Sequence, residues 1–128
     1  MDQLYRNGAG YCDPTAFEAI KNGDYKPIVY VCSLFRGDEV NNTKLARRYC
    51  RYVVNQGGIP LAPHLLFPQF MDDRDHKERR LALKMNLILL DRCEEIWVFG
   101  SKVSEGMAIE IERAQRKNKR IRRFYACN

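Results

Sequence analysis

PIVYVCS, residues 27–33, is an almost unbroken apolar run in which Val and Ile alternate with Tyr and Cys. A strand with one wet face would alternate apolar and polar residues. This run does not, so it reads as a strand buried on both faces, which is the habit of parallel sheets. Downstream, Ala46, Tyr49, Cys50, Val53 and Val54 recur at helical spacing until NQGG (55–58), where Gly57 and Gly58 supply a C-terminal stop. IPLAP (59–63), EIWVFG (95–100) and RIRRFYA (120–126) read as three further strands. A second helix is expected from about Arg74 to Arg92, with Leu81, Met85, Ile88 and Leu89 as its main stripe and Leu87 and Leu90 widening it. A third runs from Ser104 to about Lys119. Upstream, CDPTAFEAIKNGDY (12–25) predicts a short helix, with Asp13 as cap, Pro14 in the first turn and Gly23 as stop.

The resulting β-α-β-α-β-α-β alternation implies right-handed crossovers and a parallel sheet. The expected fold is a small Rossmann-like α/β domain. Its four-stranded parallel sheet has the flavodoxin-type order 2-1-3-4 and is flanked by helices. Residues 1–26 form a helical extension and residues 27–128 the domain. The loop HLLFPQFMDDRD (64–75) is too apolar for a simple connector, and reads as a flap over a pocket, a partner contact or a satellite of the core.

The 128 residues suit one core. With no apolar run near ~18 residues, no membrane contact is expected, and with no leader-like N-terminus the expected compartment is the cytoplasm. Five widely spaced cysteines read as reduced thiols. With only His64 and His76 beside them, neither a metal nor another cofactor is expected. The net charge of +6 is concentrated in RAQRKNKRIRRFYACN (113–128), which carries seven Lys and Arg and no acid. That segment reads either as a nucleic-acid face or, in preference, as a solvated helix end and edge strand.

In a sheet of order 2-1-3-4, ligands bind beyond the C-terminal ends of strands one and three, where the strand order reverses. The loops there are SLFRGDEVNN (33–42) and GSKVSEG (100–106), and both feed helix N-termini. Neither is a dinucleotide or P-loop fingerprint. Candidate ligand contacts are Ser33, Phe35, Arg36 and Gly37 in the first loop, Gly100, Ser104, Gly106 and Met107 in and after the second, and His64 after strand two. Arg36 either pairs with Asp38 or clamps a phosphate. Ser104 caps its helix or contacts a ligand. His64 is structural, stacking or acid–base. Tyr30 belongs to the core or reaches the pocket. Asn86, in an apolar stretch, needs a partner. Glu110 shares a helix face with Met107, Ile111 and Ala114, the face expected to meet the sheet; it either pairs with Arg113 at the boundary or serves a site.

Three blocks, YVCSLFRGDE (30–39), MNLILLDRCEEIWVF (85–99) and SEGMAIEIERA (104–114), resemble the nucleoside 2-deoxyribosyltransferase superfamily, in particular its branch of 2'-deoxynucleoside 5'-phosphate N-hydrolases. The resemblance spans about Ile28 to Phe124. It implies that Glu110 is the catalytic carboxylate, Tyr30 its first-loop companion, and Arg36 and Ser104 phosphate contacts. Asn86 falls where those enzymes carry an aspartate, and Ser33-Leu34 stands in place of a Gly-Ser pair. The implied chemistry is attack on, or stabilisation of, an oxocarbenium-like C1' as an N-glycosidic bond breaks. An enzyme of this kind acting on a nucleoside or nucleotide, working as a homodimer or higher homo-oligomer, is the first expectation. A non-catalytic nucleotide-binding module is the second and a basic nucleic-acid-binding protein the third.

Overall fold

The computed structural model describes residues 25–125; the helix expected around Asp13–Gly23, Cys12 and Cys127 lie outside them. Four strands, β1 (Ile28–Cys32), β2 (Ile59–Leu61), β3 (Glu95–Phe99) and β4 (Arg120–Phe124), form one sheet of order β2-β1-β3-β4. Every pairing is parallel, with Tyr30 opposite Leu61 on one side and Ile96 on the other. Helices α1 (Glu39–Asn55), α2 (His76–Asp91) and α3 (Glu105–Arg116) make the three crossovers. This is the small Rossmann-like α/β architecture expected. No helix among the described residues is long and apolar enough to cross a membrane.

The period-two geometry of β1 divides the interior. Val29 and Val31 face α1, where they pack with Val53, Trp97 and Phe99, and Tyr49 stacks on Phe99 at 4.4 Å between ring centroids. Tyr30 and Cys32 face the other way, toward Leu90 of α2 and Met107, Ile111 and Ala114 of α3. Burial of each large apolar side chain here contributes about 1.5–3 kcal/mol. Tyr30 is fully buried, so its hydroxyl must find a partner inside the protein.

The turns follow local chemistry. Asp38, Asp75 and Ser104 each cap the following helix with a side-chain oxygen. Asp75 therefore starts α2 at His76, later than the apolar pattern suggests. Gly57 has φ +90°, and a Cβ on Gly58 would meet methyls of Val29 and Val53 at 3.0 Å, so the α1–β2 turn lies directly on β1. Asn118, at φ 55°, ends the turn after α3 before the expected Lys119. Strand two is shorter than IPLAP, because Pro63 opens a 3-10 turn over Pro63–Leu65, followed by another over Phe67–Gln69.

Two expected faces are corrected. Val54 of α1 is exposed, and the buried positions are Asn42, Ala46 and Val53. On α2 the expected main stripe is split. Leu81 and Ile88 are exposed and Met85 and Leu89 half-buried, whereas Leu90 is fully buried and Leu87 packs beside it. From Leu81 to Leu90 only Lys84 and Asn86 are polar, so periodicity alone could not choose the inner side.

The basic C-terminal segment is largely tied into the fold. Arg113 donates to both carboxylate oxygens of Asp91, at 2.9 and 2.6 Å. Lys119 Nζ donates to the carbonyls of Asp91 and Cys93. Arg122 lies 4.6 Å from the centroid of the Trp97 ring, a cation–π contact on an edge strand.

Candidate active site

A cavity of about 520 Å³ opens on the α2–α3 side of the sheet, past the C-terminal end of β1. Its size is within the range of small-molecule sites, roughly 300–1,000 Å³. The β1–α1 loop contributes Ser33, Phe35 and Arg36. The segment after β2 contributes Pro63, His64, Phe67 and Met71, so part of the apolar loop does form a wall, while Leu66 and Phe70 are exposed. From α2 come Arg79, Ala82, Leu83 and Asn86; from α3, Ser104, Gly106, Met107 and Glu110.

Glu110 is the centre of this arrangement. It lines the cavity yet is only 8% exposed. The Tyr30 hydroxyl donates to its Oε2 at 2.5 Å, and the Cys32 thiol donates to its Oε1 at 3.4 Å. Both donors come from one face of β1, two residues apart, which is why a strand can hold both oxygens of a carboxylate on the helix above. Arg113 is turned away to Asp91. Burial pushes the Glu110 carboxyl above its ordinary value of 4.5, and the hydrogen bonds from Tyr30 and then Cys32 pull it partly back. Burial, followed by the Glu110 charge, raises the Tyr30 phenol well above its usual range. The same two causes raise the Cys32 thiol, keeping it a protonated donor.

The other expected residues divide. Ser104 caps α3 by accepting from Met107 N at 3.2 Å, and its side chain also borders the cavity. A Cβ on Gly106 would meet nothing nearer than Ser104 Oγ at 4.0 Å, so this glycine opens space rather than filling a packing need. His64 Nε2 lies 3.1 Å from Ser33 Oγ, and burial lowers its pKa to about 4, so the ring is neutral at pH 7. Asn86 Oδ1 is, among the described residues, a buried side-chain oxygen without a hydrogen-bond partner.

Four of the expected residues lie apart from the cavity or are engaged by other partners. Arg36 pairs with Asp73 at 3.1 Å, not with Asp38, because Asp38 is occupied in capping α1. Tyr30 does not line the cavity; it sits behind Glu110. Gly37 does not line this cavity. Gly100 borders a separate cleft of about 160 Å³ with Asn42, Tyr49 and Lys102.

Three participants escaped the sequence reading: Cys32, Asp73 and Asn42. Asn42 is buried in the first turn of α1, and its Nδ2 donates to the carbonyls of Phe35 and Arg36 at 3.0 and 3.3 Å. It ties the β1–α1 loop to the helix. Its signal, a polar residue at a core-facing helix position, was present at Asn42 as it was at Glu110. Asn42→Ala is expected to cost about 1–2 kcal/mol in urea unfolding, since two loop carbonyls lose their partner. Among the described residues no group of three or more His, Cys, Asp or Glu side chains is arranged to hold a metal ion.

The fold is thus a small Rossmann-like sheet with a buried carboxylate at a cavity beside its switch point. Residues 27–124 match the family described as "Domain of unknown function (DUF7768)", and the chain belongs to that family. Among solved structures it is similar to the 2-deoxyribosyltransferase from the psychrotolerant bacterium Bacillus psychrosaccharolyticus. That similarity has a TM-score of 0.58 at 16% identity, over 78% of this chain and 76% of the other. It shows a shared fold, the one implied by the three sequence blocks. No curated protein matches.

Proposed function

We propose that the cavity binds a nucleoside or nucleotide and that Glu110 acts on its N-glycosidic bond, by hydrolysis or by transfer of the sugar. The observation that carries this reading is the Glu110 carboxylate, buried at a cavity wall with one oxygen on Tyr30 and the other on Cys32. A carboxylate so held can meet the positive charge that develops at C1' as the base departs, either by attack or as an ion pair. The Bacillus psychrosaccharolyticus protein that shares the fold is a 2-deoxyribosyltransferase, and deoxyribosyl transfer by that protein supports the same chemistry. Arg36 could turn from Asp73 to a 5'-phosphate, with Ser104 on the same cavity. A reducing compartment such as the cytoplasm suits the free Cys32, Cys50 and Cys93.

The test is base release, followed by chromatography, from a panel of nucleosides and their 5'-phosphates, with an acceptor base added in half the reactions. Release without acceptor marks a hydrolase, and release only with acceptor marks a transferase. Binding without release by the wild type would leave a nucleotide-binding module in place of the enzyme.

A homodimer through the outer face of α2 belongs to the same reading, because Leu81 and Ile88 stand exposed there. Light scattering at micromolar concentration is expected to give twice the chain mass, and Ile88→Glu to return it to one chain. A monomeric wild type would end this part of the reading.

A further inference from the structure

We infer that the leaving group suited to this site is a base already carrying positive charge at its glycosidic nitrogen, a pyridinium N-glycoside. The inference rests on the proposed role of Glu110 and adds the class of substrate.

The first observation concerns protons. A neutral purine or pyrimidine leaves readily only when an acid protonates it, and a positioned acid typically contributes about 10²–10⁴-fold. The lining groups nearest Asn86 in sequence, together with those that contact Glu110, supply none at neutral pH. From α2 come Ala82, Leu83 and Asn86, and an amide has no proton to give up. From the turn after β2 comes His64, which burial holds at about 4 and which is engaged with Ser33. From β1 come Tyr30 and Cys32, whose protons are directed at Glu110 itself. From β4, Arg123 bears on Cys32 only through its charge. The other titratable lining groups lie in the loops before the helices or in the first turns of α2 and α3. On α2, Arg80, Arg79 and Glu78 precede Asn86 by six, seven and eight residues and His76 by ten, about 9–15 Å at ~1.5 Å per residue. Glu105 is one and a half turns before Glu110 on α3, and Asp73 is paired with Arg36.

The second observation is charge. Five carboxylates line the cavity (Asp72, Asp73, Glu78, Glu105 and Glu110) against three guanidiniums (Arg36, Arg79 and Arg80). This balance suits a ligand that carries a positive charge on its ring. The third is the Asn86 Oδ1 acceptor, buried and without a partner, which suits an N–H donor such as the carboxamide of a substituted pyridinium ring.

The chemistry then closes without an acid. The C1'–N bond breaks, its electron pair returns to the ring nitrogen, and the pyridinium becomes a neutral pyridine. A Glu110 oxygen bonds to C1'. In the second half, a water oxygen bonds to C1', the Glu110–C1' pair returns to the carboxylate, and the water's proton goes to solvent.

The experiment measures base release by wild type, Glu110→Gln and Asn86→Asp from two sets. One is nicotinamide riboside and its 5'-phosphate; the other is adenosine, 2'-deoxyadenosine, uridine and their 5'-phosphates. Wild type is expected to favour the pyridinium set by about 100-fold or more in kcat/KM, the scale of a missing acid. Pyridinium glycosides are intrinsically more labile, so the second readout is the gap itself. Asn86→Asp supplies an acid and should narrow the gap by about tenfold or more, with a new loss of neutral-base release at high pH. Glu110-dependent release of neutral bases at equal or higher kcat/KM, or a gap unmoved by Asn86→Asp, overturns the inference and leaves the role of Glu110 standing. No Glu110-dependent release from either set overturns both.

Discussion

Glu110→Gln is expected to lower base release by about three orders of magnitude or more, equivalent to ~4 kcal/mol at the transition state. The amide preserves the shape of the side chain and still offers an oxygen to the Tyr30 hydroxyl, now 2.5 Å from Oε2. It removes the negative charge that opposes the developing cation at C1'. Ligand binding should survive, so loss of affinity in parallel with loss of turnover would point to a misassembled cavity rather than a missing nucleophile.

The same substitution carries a stability prediction of opposite sign. Burial raises the folded pKa of Glu110 above 4.5. Between 4.5 and that raised value the native state holds more proton than the unfolded chain. Stability contributed by this group is therefore present at low pH and lost as pH rises through the window. A glutamine has no such loss. Glu110→Gln should be at least as stable as wild type at pH 7, and the two should converge below pH 4.5 in urea unfolding. A variant markedly less stable at pH 7 would mean that the carboxylate holds the fold together, and a catalytic role would lose its best support. An ionised group kept in a costly place for its chemistry is the usual trade between stability and activity.

What the sequence revealed followed from periodicity. PIVYVCS read correctly as a two-faced strand because its residues have no polar alternation to average away. The order β2-β1-β3-β4 was the simplest layout for an alternating β/α chain with right-handed crossovers. Glu110 stood out because an acid interrupts the stripe of Met107, Ile111 and Ala114, and those four are the buried residues of α3. The inner face of α2 was not legible, since Leu81, Leu87, Ile88 and Leu90 are chemically alike and only the sheet's position separates them. Nor were pairings set by three-dimensional closure. Arg36 meets Asp73, 37 residues away, through the folding of a loop that has no period. Asp38, the nearer acid, was excluded by a helix cap, a competing local role visible in the sequence only once the helix start is known. Cys32 looked like a core thiol, and it is one; its second task appears only when Glu110 is placed above it.

Tyr30→Phe separates positioning from packing. The ring is fully buried and a phenylalanine keeps nearly all of its contacts, so the change is confined to one hydroxyl. That hydroxyl is the larger of the two hydrogen-bonding influences that lower the Glu110 pKa. A hydrogen bond to a charged group is worth about 1.5–3 kcal/mol. Its loss leaves Oε2 desolvated with only the Cys32 thiol, on the other oxygen, still holding the carboxylate. The folded pKa of Glu110 should therefore rise further, and the acid limb of the kcat/KM profile should move to higher pH. On the acid side of the displaced limb, release is expected to fall by roughly 10–100-fold, the same energy expressed as a rate. At pH well above the displaced limb, Glu110 ionises again and much of the loss should be recovered. A purely structural tyrosine would give a different result, with a uniform fall in rate and an unmoved limb. Titration of the Glu110 carboxyl in the unliganded protein by carbon NMR gives the same answer without turnover. If neither the limb nor the titration moves on Tyr30→Phe, the phenol does not set the charge of Glu110, and the contact across β1 and α3 is packing alone.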